Sequence, residues 1–437
     1  MAIDFTLTPE QRQLQVSVRE LAQKVLGDVD EQIRHLPSPD ERFAATRPAY
    51  EQLVQAGLLQ QLIPAPVGGK GNGMVEMAIV AEELHAVDPS VSLTMFASLL
   101  GLLPMFLGGS PEQVQRHLPP FLAGTGAPLA AFCFSEPGGS ANFDAPAPAD
   151  GVRTTARLDG NEWVISGSKR WVSSASGWDG HGADLLTVVC RTATDPATPP
   201  DQALAVILVP RPERGFRYEG AIDMLGHRGH LAPTFHFDDI RVPKDHVLGE
   251  VGAGKALIEG SFTGTAALVG VFGVAMMRAA FDHAWRFART ENRGGAVPII
   301  EHQAVGYALA DAKTRIEAAR YLNWKACHAL DVQSPHALEL AVQAKIFGSE
   351  TAVSVITDLM KVVGIESYDR DQPLARILQD ALVLPLFDGG NLGVRRRQLH
   401  ALLRQPDYDP LAAAGGARAK ENAPASTSQE RRGSGYA

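Results

Sequence analysis

The spacing of apolar residues changes twice along this chain, and the order of the changes restricts which folds are possible. Up to about residue 128, apolar side chains such as Leu14, Val18 and Leu21 recur every three or four residues, a pattern typical of amphipathic helices. Short runs rich in β-branched residues then indicate strands, and the helical spacing returns near Gly249. Helices, then strands, then helices predict an α+β fold and disfavour alternating βα units.

These changes predict an N-terminal helical domain (1–128), a central β domain (129–246), a C-terminal helical bundle (247–410) and a disordered tail (411–437). The predicted strands are Leu129–Ser135, Val152–Leu158, Glu162–Ser166, Asp184–Arg191, Ala203–Val209 and Pro233–Asp238. Between two of them, Asp159-Gly160 predicts a tight hairpin turn. The predicted long helices are Ala256–Thr290, His302–Leu330 and Ala337–Val363, the last with Gly364 as its C-cap.

Composition excludes several classes of protein. The chain has 437 residues, 45% of them hydrophobic, and a formal net charge of −9, which disfavours nucleic acid or an anionic membrane as a partner. The three cysteines are far apart and form neither a metal-ligand spacing nor a disulfide framework, so a reducing cytoplasmic location is predicted. The uncharged run Gly260–Met277 contains several glycines and threonines, and a buried bundle helix is a better interpretation than a membrane span.

One acid, Asp388, stands between a proline and two glycines. Pro385 ends any helix that arrives from the N-terminal side, and Gly389 and Gly390 allow backbone angles closed to other residues. Asn391 is a predicted N-cap for a helix that runs to about residue 403. A helix N-terminus favours a carboxylate, whereas the apolar neighbours of Asp388 disfavour its charge.

Arg395 follows Asp388 by seven residues, about two helical turns, and can reach the same face. Such a pair often has only a structural role. An acid in an apolar, glycine-flanked setting lowers stability, however, and this indicates a functional role. An acid, glycine and arginine at this spacing resemble the catalytic-base segment of the acyl-CoA dehydrogenase superfamily, which usually has glutamate there. The aspartate is similar to the nitroalkane oxidase branch. The resemblance covers residues 1 to about 410 and implies an N-terminal helical domain, a central antiparallel β domain and a C-terminal four-helix bundle.

Two segments of the predicted β domain resemble motifs with which this superfamily holds a flavin. The run Phe-Cys-Phe-Ser-Glu-Pro-Gly-Gly-Ser begins at residue 132 and has the form of a strand that enters a turn. There the resemblance implies that Phe132, Phe134 and the Ser135 hydroxyl contact the edge of the isoalloxazine. In the tryptophan-containing hairpin further on, it implies that Trp171 covers the ring and that Ser173 reaches flavin N5.

The resemblance places the remaining flavin contacts at helix junctions. Arg293 and Gln303 match the segment whose arginine and glutamine bind the FAD pyrophosphate from a neighbouring subunit, with charge-assisted hydrogen bonds. The other implied contacts are His302, Lys361, Gly364, Gly390 and Asn391. No Gly-x-Gly-x-x-Gly follows a predicted strand and no phosphate-binding loop motif occurs, so FAD would be held outside a Rossmann fold.

The pocket residues implied by the resemblance come from a bundle helix and from the segment of the acid. Thr265 takes the place of a serine that hydrogen-bonds the base, although a helical threonine often bonds its own i−4 carbonyl instead. Phe262 and Phe387 would shape an apolar pocket for a short alkyl chain.

The function that the resemblance implies is the FAD-dependent oxidation of neutral nitroalkanes to aldehydes or ketones, with release of nitrite and hydrogen peroxide. Asp388 would abstract the α-proton, and Arg395 would orient it. The implied partners are a small nitroalkane and O2, without metal, in a homotetramer with FAD at subunit boundaries. Two alternatives stay open: an acyl-CoA dehydrogenase that acts on an acyl thioester, and a non-catalytic flavoprotein scaffold. The short aspartate disfavours the first, and the intact acid and arginine disfavour the second.

Overall fold

A computed structural model describes residues 5–145, 148–195 and 197–414 of the chain. Residues 415–437, most of the predicted disordered tail, lie outside the described residues. The helices before the first strand are α1 Pro9–Leu26, α2 Val29–Ile33, α3 Pro39–Gln55, α4 Leu58–Leu62, α5 Met74–His85, α6 Pro89–Gly108, α7 Pro111–His117 and α8 Pro119–Leu122. Thr8 and Ser110 form capping boxes at α1 and α7, so proline at the first helical position and glutamine at N3 fix both helix starts.

The strands of the central part are β1 Ala130–Cys133, β2 Thr155–Asp159, β3 Glu162–Arg170, β4 Leu185–Arg191, β5 Leu204–Pro210, β6 Phe216–Ala221 and β7 Pro233–Pro243; the short helix α9 Pro200–Ala203 precedes β5. The sheet order is β1-β4-β2-β3-β7-β6, and β5 pairs with the other edge of β4. The predicted hairpin at Asp159-Gly160 is confirmed: β2 and β3 are antiparallel, and Gly160 has φ of 62°.

The predicted antiparallel character of the central domain is wrong for two strand pairs, both of which include β4. β1 runs parallel to β4, from Ala130 opposite Leu185 to Cys133 opposite Val188, and β2 touches β4 in parallel as well. The chain makes a long excursion between β1 and β4, and such a crossover is what a parallel pair requires. β1 also packs on α6, and after it the chain turns into the segment that begins at Ser135.

The C-terminal helices are α10 Gly254–Thr290, α11 Gln303–Asp331, α12 Ala337–Val363, α13 Pro373–Ala381 and α14 Arg396–Leu403. The predicted long helices are confirmed within two residues at each end, and Gly364 caps α12 with its N–H on the Met360 carbonyl. α10 packs on α11 and α12, which also pack on each other, and on α5 and α6, so it is the central helix of the molecule. By length and composition, α6 and α10 could cross a membrane, but 67% and 78% of their most apolar windows are buried, which favours core helices.

Buried ion pairs join the first part of the chain to the bundle. Glu83 on α5 is fully buried and accepts from Arg19 on α1 and from Arg278 on α10, with Arg278 Nη1 to Glu83 Oε1 at 2.7 Å. The adjacent Glu82 is paired with Arg320 on α11 at 2.9 Å. Removing one member of a buried pair costs more than the pair contributes, because the other charge is left without a partner. These contacts therefore fix α5 against α10 and α11.

The segment between α13 and α14 differs from the predicted regular helix start. After the turns that follow α13, residues Asn391–Arg395 form a π-helical turn, and Gly390 stands at its N-terminal cap position. The prediction that Asn391 is the N-cap is wrong, because its side chain points to α12. There Oδ1 accepts from Lys345 Nζ at 2.8 Å, and Nδ2 donates to Ser349 and Glu350. Partners on a neighbouring helix thus outcompete the local capping bond.

Candidate active site

A cavity of about 750 Å³ lies where the three parts of the chain meet. Leu93 and Phe96 of α6, the turn after β1 and the middle of α10 form its walls, and the segment from Leu382 to Gly390 forms another. This volume is in the range of small-molecule and cofactor sites. Among the described residues that line it, Arg395 is the one lysine or arginine. The single cation therefore marks one place in a largely apolar cavity, whose lining carboxylates are Asp223, Glu259 and Asp388.

Asp388 lies at that place, and hydrogen bonds from two elements hold its carboxylate. Thr265 on α10 donates to Oδ1 at 2.7 Å, and Arg395 Nη2 donates to Oδ2 at 2.8 Å. The side chain of Asp388 is 5% exposed, and that of Arg395 is 1% exposed. The predicted pairing of Asp388 with Arg395 is confirmed in the structure, and so is the contact with Thr265. Charge-assisted bonds of this kind are stronger than neutral ones, especially away from water.

Arg395 also binds the main chain around Asp388. Its Nε and Nη2 donate to the Asp388 carbonyl at 3.0 and 2.7 Å, and Nη2 donates to the Phe262 carbonyl at 3.0 Å. Asp388 itself has φ of 51°, a left-handed conformation that is unfavourable for a residue with a Cβ. The next residue, Gly389, has φ of 69°, and a Cβ there would lie 3.2 Å from Arg395 Nε. The arginine therefore stabilises a strained turn as well as the carboxylate.

Aromatic rings line the cavity near the carboxylate. Phe262 on α10 lies 5.4 Å from Phe132 and 5.2 Å from Phe134 between ring centroids, and Phe134 is edge-on to Phe143 at 5.2 Å. Phe387 lines the cavity beside Asp388. The predicted pocket residues Phe262 and Phe387 are thus brought together with the acid. An apolar chain would bury its surface here without leaving polar groups unpaired.

Besides Phe132 and Phe134, the β-domain wall carries three further residues that sequence resemblance assigned to the flavin ring. Ser135, Trp171 and Ser173 all line the cavity. Trp171 has φ of 65° and is 52% exposed, an unusual combination for a large aromatic residue. Ser173 Oγ lies 3.0 Å from His230 Nε2, and His230 Nδ1 lies 2.9 Å from Thr94 Oγ1. Burial lowers the pKa of His230 to about 3, so a neutral imidazole holds the serine hydroxyl.

These groups fit a flat, uncharged aromatic ring system such as isoalloxazine. An exposed indole on one side, phenyl rings on another and two hydroxyls at hydrogen-bond positions offer stacking surface and a few directed polar contacts. The cavity offers no such match to phosphate, since Arg395 is already committed to Asp388. A dinucleotide would therefore place its diphosphate elsewhere.

Other residues assigned to the cofactor lie outside this cavity. Arg293 binds Glu366 at 2.7 Å and the Val363 carbonyl at 2.6 Å, close to the C-cap Gly364. Lys361 pairs with Asp358 at 2.9 Å. His302 and Gln303, at the start of α11, are also outside the cavity lining. This group lies at helix ends, and its role in holding FAD across a subunit boundary stays a prediction. Gly390 lines the cavity, whereas Asn391 is buried against α12.

Two buried lysines near the site were missed by sequence reasoning. Lys169 on β3 binds Glu136 Oε1 at 2.9 Å and the Val189 carbonyl, which anchors the turn that carries Ser135. Lys345 on α12 is fully buried behind the segment of Asp388. A signal was present for Lys345, because it occupies a position of the apolar stripe that includes Ala341 and Gly348. A lysine at such a position needs a buried partner, although the sequence does not say which one.

The site and fold together define a cofactor-dependent enzyme of the acyl-CoA dehydrogenase type. The chain matches that family over consecutive regions described as the acyl-CoA dehydrogenase N-terminal domain (8–125), middle domain (131–240) and C-terminal domain (252–403). It therefore belongs to the acyl-CoA dehydrogenase family and is a flavin-dependent oxidoreductase with FAD as its cofactor.

Relatives with solved structures are similar over nearly the whole chain. The nitroalkane oxidase of Podospora anserina is 44% identical over 424 residues, 94% of this chain and 98% of the relative, and that of Fusarium oxysporum is 40% identical over 94% and 97%. The solved structure of the Podospora anserina enzyme has a TM-score of 0.91 at 43% identity and covers 95% of this chain and 100% of that one. Butyryl-CoA dehydrogenase from Megasphaera elsdenii, at 24% identity and a TM-score of 0.82, shares the fold.

Proposed function

We propose that this protein oxidises neutral nitroalkanes, with Asp388 as the base that removes the α-proton. The observation that carries the proposal is a carboxylate at the wall of a largely apolar cavity, held by Thr265 and Arg395, with phenyl rings in the same cavity lining. The identity of 44% to a nitroalkane oxidase over most of both chains supports the same substrate class.

The proton step follows from the geometry around Asp388. A nitro group delocalises the charge left on its α-carbon, so a carboxylate can deprotonate that carbon if both are positioned and shielded from water. Thr265 and Arg395 each occupy one lone pair of the carboxylate, and a further lone pair on each oxygen stays available for the proton. The positive charge of Arg395 lies 2.8 Å from the carboxylate and stays beside the nitronate that forms.

The aromatic and hydroxyl groups of the β-domain lining would hold the flavin ring, with Trp171 against one face and Ser135 and Ser173 at its polar edge. When bound, FAD supplies a two-electron acceptor that O2 can restore. The overall reaction balances as RCH2NO2 + O2 + H2O giving RCHO, HNO2 and H2O2. The role of this chain is to bind and orient the alkyl group, to exclude water and to take the proton at Asp388.

The two alternatives differ in what they require of Asp388. An acyl-CoA dehydrogenase would place its base near the α-carbon of a thioester, and an aspartate is one methylene shorter than the glutamate usual there. A scaffold would have no use for a buried carboxylate with two directed donors, since an isolated buried charge is costly. Both points favour the nitroalkane reaction.

The test is to supply the purified holoenzyme with nitroethane and to measure nitrite, hydrogen peroxide and acetaldehyde. We expect the three products in equal amounts. Acyl-CoA substrates of several chain lengths, with an artificial electron acceptor, serve as the comparison. Reduction of the flavin by an acyl-CoA but not by nitroethane would replace the proposal with the dehydrogenase alternative, and no reaction with either would favour the scaffold.

A further inference from the structure

Lys345 is a fully buried lysine whose hydrogen bonds all go to the segment that carries Asp388. Its Nζ donates to the Phe387 carbonyl at 2.8 Å, to the Gly389 carbonyl at 3.2 Å and to Asn391 Oδ1 at 2.8 Å. An ammonium has three protons, so these bonds use all of them. The first two acceptors belong to the residues directly before and after Asp388.

These contacts fix the peptide group directly before Asp388 and the one directly after Gly389. Because Asp388 has φ of 51°, its conformation is unfavourable by itself and must be stabilised by its surroundings. Arg395 holds the carboxylate and the Asp388 carbonyl from one side, and Lys345 holds the neighbouring carbonyls from α12. The direction in which the carboxylate points therefore depends on both cations.

The charge of Lys345 is costly in free energy because the side chain is fully buried. In the part of the chain that the structure describes, no carboxylate forms an ion pair with Lys345, and a buried ammonium without a counter-ion is unfavourable. The charged groups that face it are Asp388 and Arg395 from the loop and Glu350 from its own helix, and Glu350 is itself paired with Arg396 at 2.6 Å. A neutral donor would hold the loop at a lower cost in desolvation free energy. The presence of a lysine instead indicates that its charge has a function.

We propose that Lys345 is a positioning residue for the base, which acts through the main chain of residues 387–391 to aim the Asp388 carboxylate into the cavity. This inference rests on the proposed function for its catalytic consequence but not for the structural one. Burial lowers the pKa of Lys345 to about 7, a shift that the charge of Asp388 opposes. Above that pH a neutral amine has two N–H groups and a lone pair, so one bond to the loop is lost and the lone pair faces a carbonyl oxygen.

The catalytic test compares Lys345→Met with the control Lys313→Met, an exposed lysine on α11 that pairs with Glu317. Flavin reduction by neutral nitroethane is followed by stopped flow from pH 6 to 9, in parallel with preformed ethyl nitronate, which needs no base. For Lys345→Met we expect a rate about 10- to 100-fold lower with nitroethane and little change with the nitronate. The wild-type rate should also fall as the pH rises through about 7 to 8, and the Met variant should lack that fall. Equal slowing of both substrates, or identical pH profiles, would overturn the proposal.

A second measurement needs no substrate. Amide hydrogen exchange of peptides that cover residues 384–397 should be faster in Lys345→Met than in wild type, and in wild type the protection should weaken between pH 7 and 8.5 after correction for intrinsic exchange. Unchanged protection in both comparisons would overturn the proposal. If Lys345→Met does not fold, the pH dependence of amide exchange in the wild type still tests the proposal. If nitroethane is not oxidised while the exchange behaves as expected, the proposed function fails and the positioning role stands.

Discussion

The carboxylate of Asp388 is held by donors that differ in charge and in freedom. Thr265 presents a hydroxyl from a long helix, whereas Arg395 presents a guanidinium that also binds the carbonyl of Asp388 itself. Rotation of the carboxylate would break its bonds to Thr265 and to Arg395, while the bonds from Arg395 to the Asp388 carbonyl keep the arginine in place. The base is therefore oriented before any substrate arrives, which lowers the entropic part of the barrier.

Asp388→Asn tests the base with minimal structural change. The amide oxygen can face Arg395, and the amide nitrogen can donate to Thr265 once that hydroxyl turns, so we expect the fold and bound FAD to be kept. Oxidation of neutral nitroethane should fall by about 100-fold or more, because general-base catalysis contributes about 10²- to 10⁴-fold. Turnover of preformed nitronate should persist. A normal rate with the neutral substrate would show that another group takes the proton.

Arg395→Lys separates the charge of Arg395 from its geometry. A lysine keeps the charge but cannot reach the carboxylate, the Asp388 carbonyl and the Phe262 carbonyl together. Losing a charged hydrogen bond costs about 1.5–3 kcal/mol, so flavin reduction by nitroethane should slow by about 10- to 100-fold. Arg397→Lys, at an exposed arginine on the next part of the same helix, is the matched control. If both variants react as fast as wild type in stopped flow, Arg395 does not orient the base.

At this scale, local spacing predicted the Asp388–Arg395 pair, although a left-handed turn at Asp388 and a π-helical turn, not one regular helix, bring the two side chains together. The same reasoning failed for Asn391, whose partners Lys345 and Glu350 lie more than forty positions earlier in the sequence, on α12. A capping preference is worth about 1 kcal/mol, and several buried hydrogen bonds exceed it. Contacts between distant segments cannot be read from periodicity.

At the scale of elements, the crossing of α10 and α12 sets the geometry of the site. Gly270 and Gly348 meet at this crossing, where a Cβ on Gly348 would lie 2.8 Å from the Gly270 Cα. Close approach of the backbones brings Lys345, one turn before Gly348, under the segment of Asp388 that Thr265 holds from the other helix. Small residues at the crossing therefore determine whether two functional side chains meet.

Gly270→Ala should test that crossing. The added Cβ would lie 2.0 Å from Asn323 Oδ1 and 2.6 Å from the Ala344 carbonyl, so the helices must separate. We expect the free energy of unfolding in urea to drop by about 1–3 kcal/mol, as in other overpacked cores. Gly306→Ala on α11 is the control, since a Cβ there meets nothing within 4 Å. This substitution should raise the free energy of unfolding by about 1 kcal/mol at most. Equal effects of the two substitutions would argue against close contact.

The long helices were predictable because each combines a clear apolar period with a defined end, such as Gly364 after α12. Strand positions were also predicted, apart from β6, whose residues alternate weakly between half-buried and exposed. The direction of β1 against β4 was not predictable, because periodicity gives which face of a strand is buried and not which strand lies beside it.

At the scale of the whole molecule, buried titratable groups couple stability to pH. Burial lowers the pKa of a set of histidines, to about 4 for His117 and His227, to about 3 for His230 and well below the usual value for His85. Burial raises the pKa of Asp88 and Asp380 to about 6. The histidines make the unfolded chain bind more protons between about pH 4 and 6.5, whereas the aspartates make the folded chain bind more between about 4 and 6.

Because the histidines outnumber the aspartates, stability should fall on acidification from pH 6.5 to 4.5, by on the order of a few kcal/mol in urea unfolding. Asp88→Asn removes one opposing group and keeps a residue that caps helices well, since Asp88 accepts from the Val91 N–H at 2.7 Å. In this variant we expect a higher stability at pH 7 and a steeper fall on acidification. Stability that stays flat or rises towards pH 4.5 would mean that these histidines are not neutral in the folded protein.

The cavity is walled by α6 from the first part of the chain, by the turn after β1 and by α10 with the segment of Asp388. No single part encloses it, so a ligand that fills it can bind only a molecule in which all three are docked. The binding free energy of such a ligand then stabilises the contacts between the domains, by about 2.7 kcal/mol when the free ligand concentration is one hundred times its Kd. Loss of the cofactor and separation of the domains are therefore coupled. The cofactor stabilises the folded protein as well as taking part in the reaction.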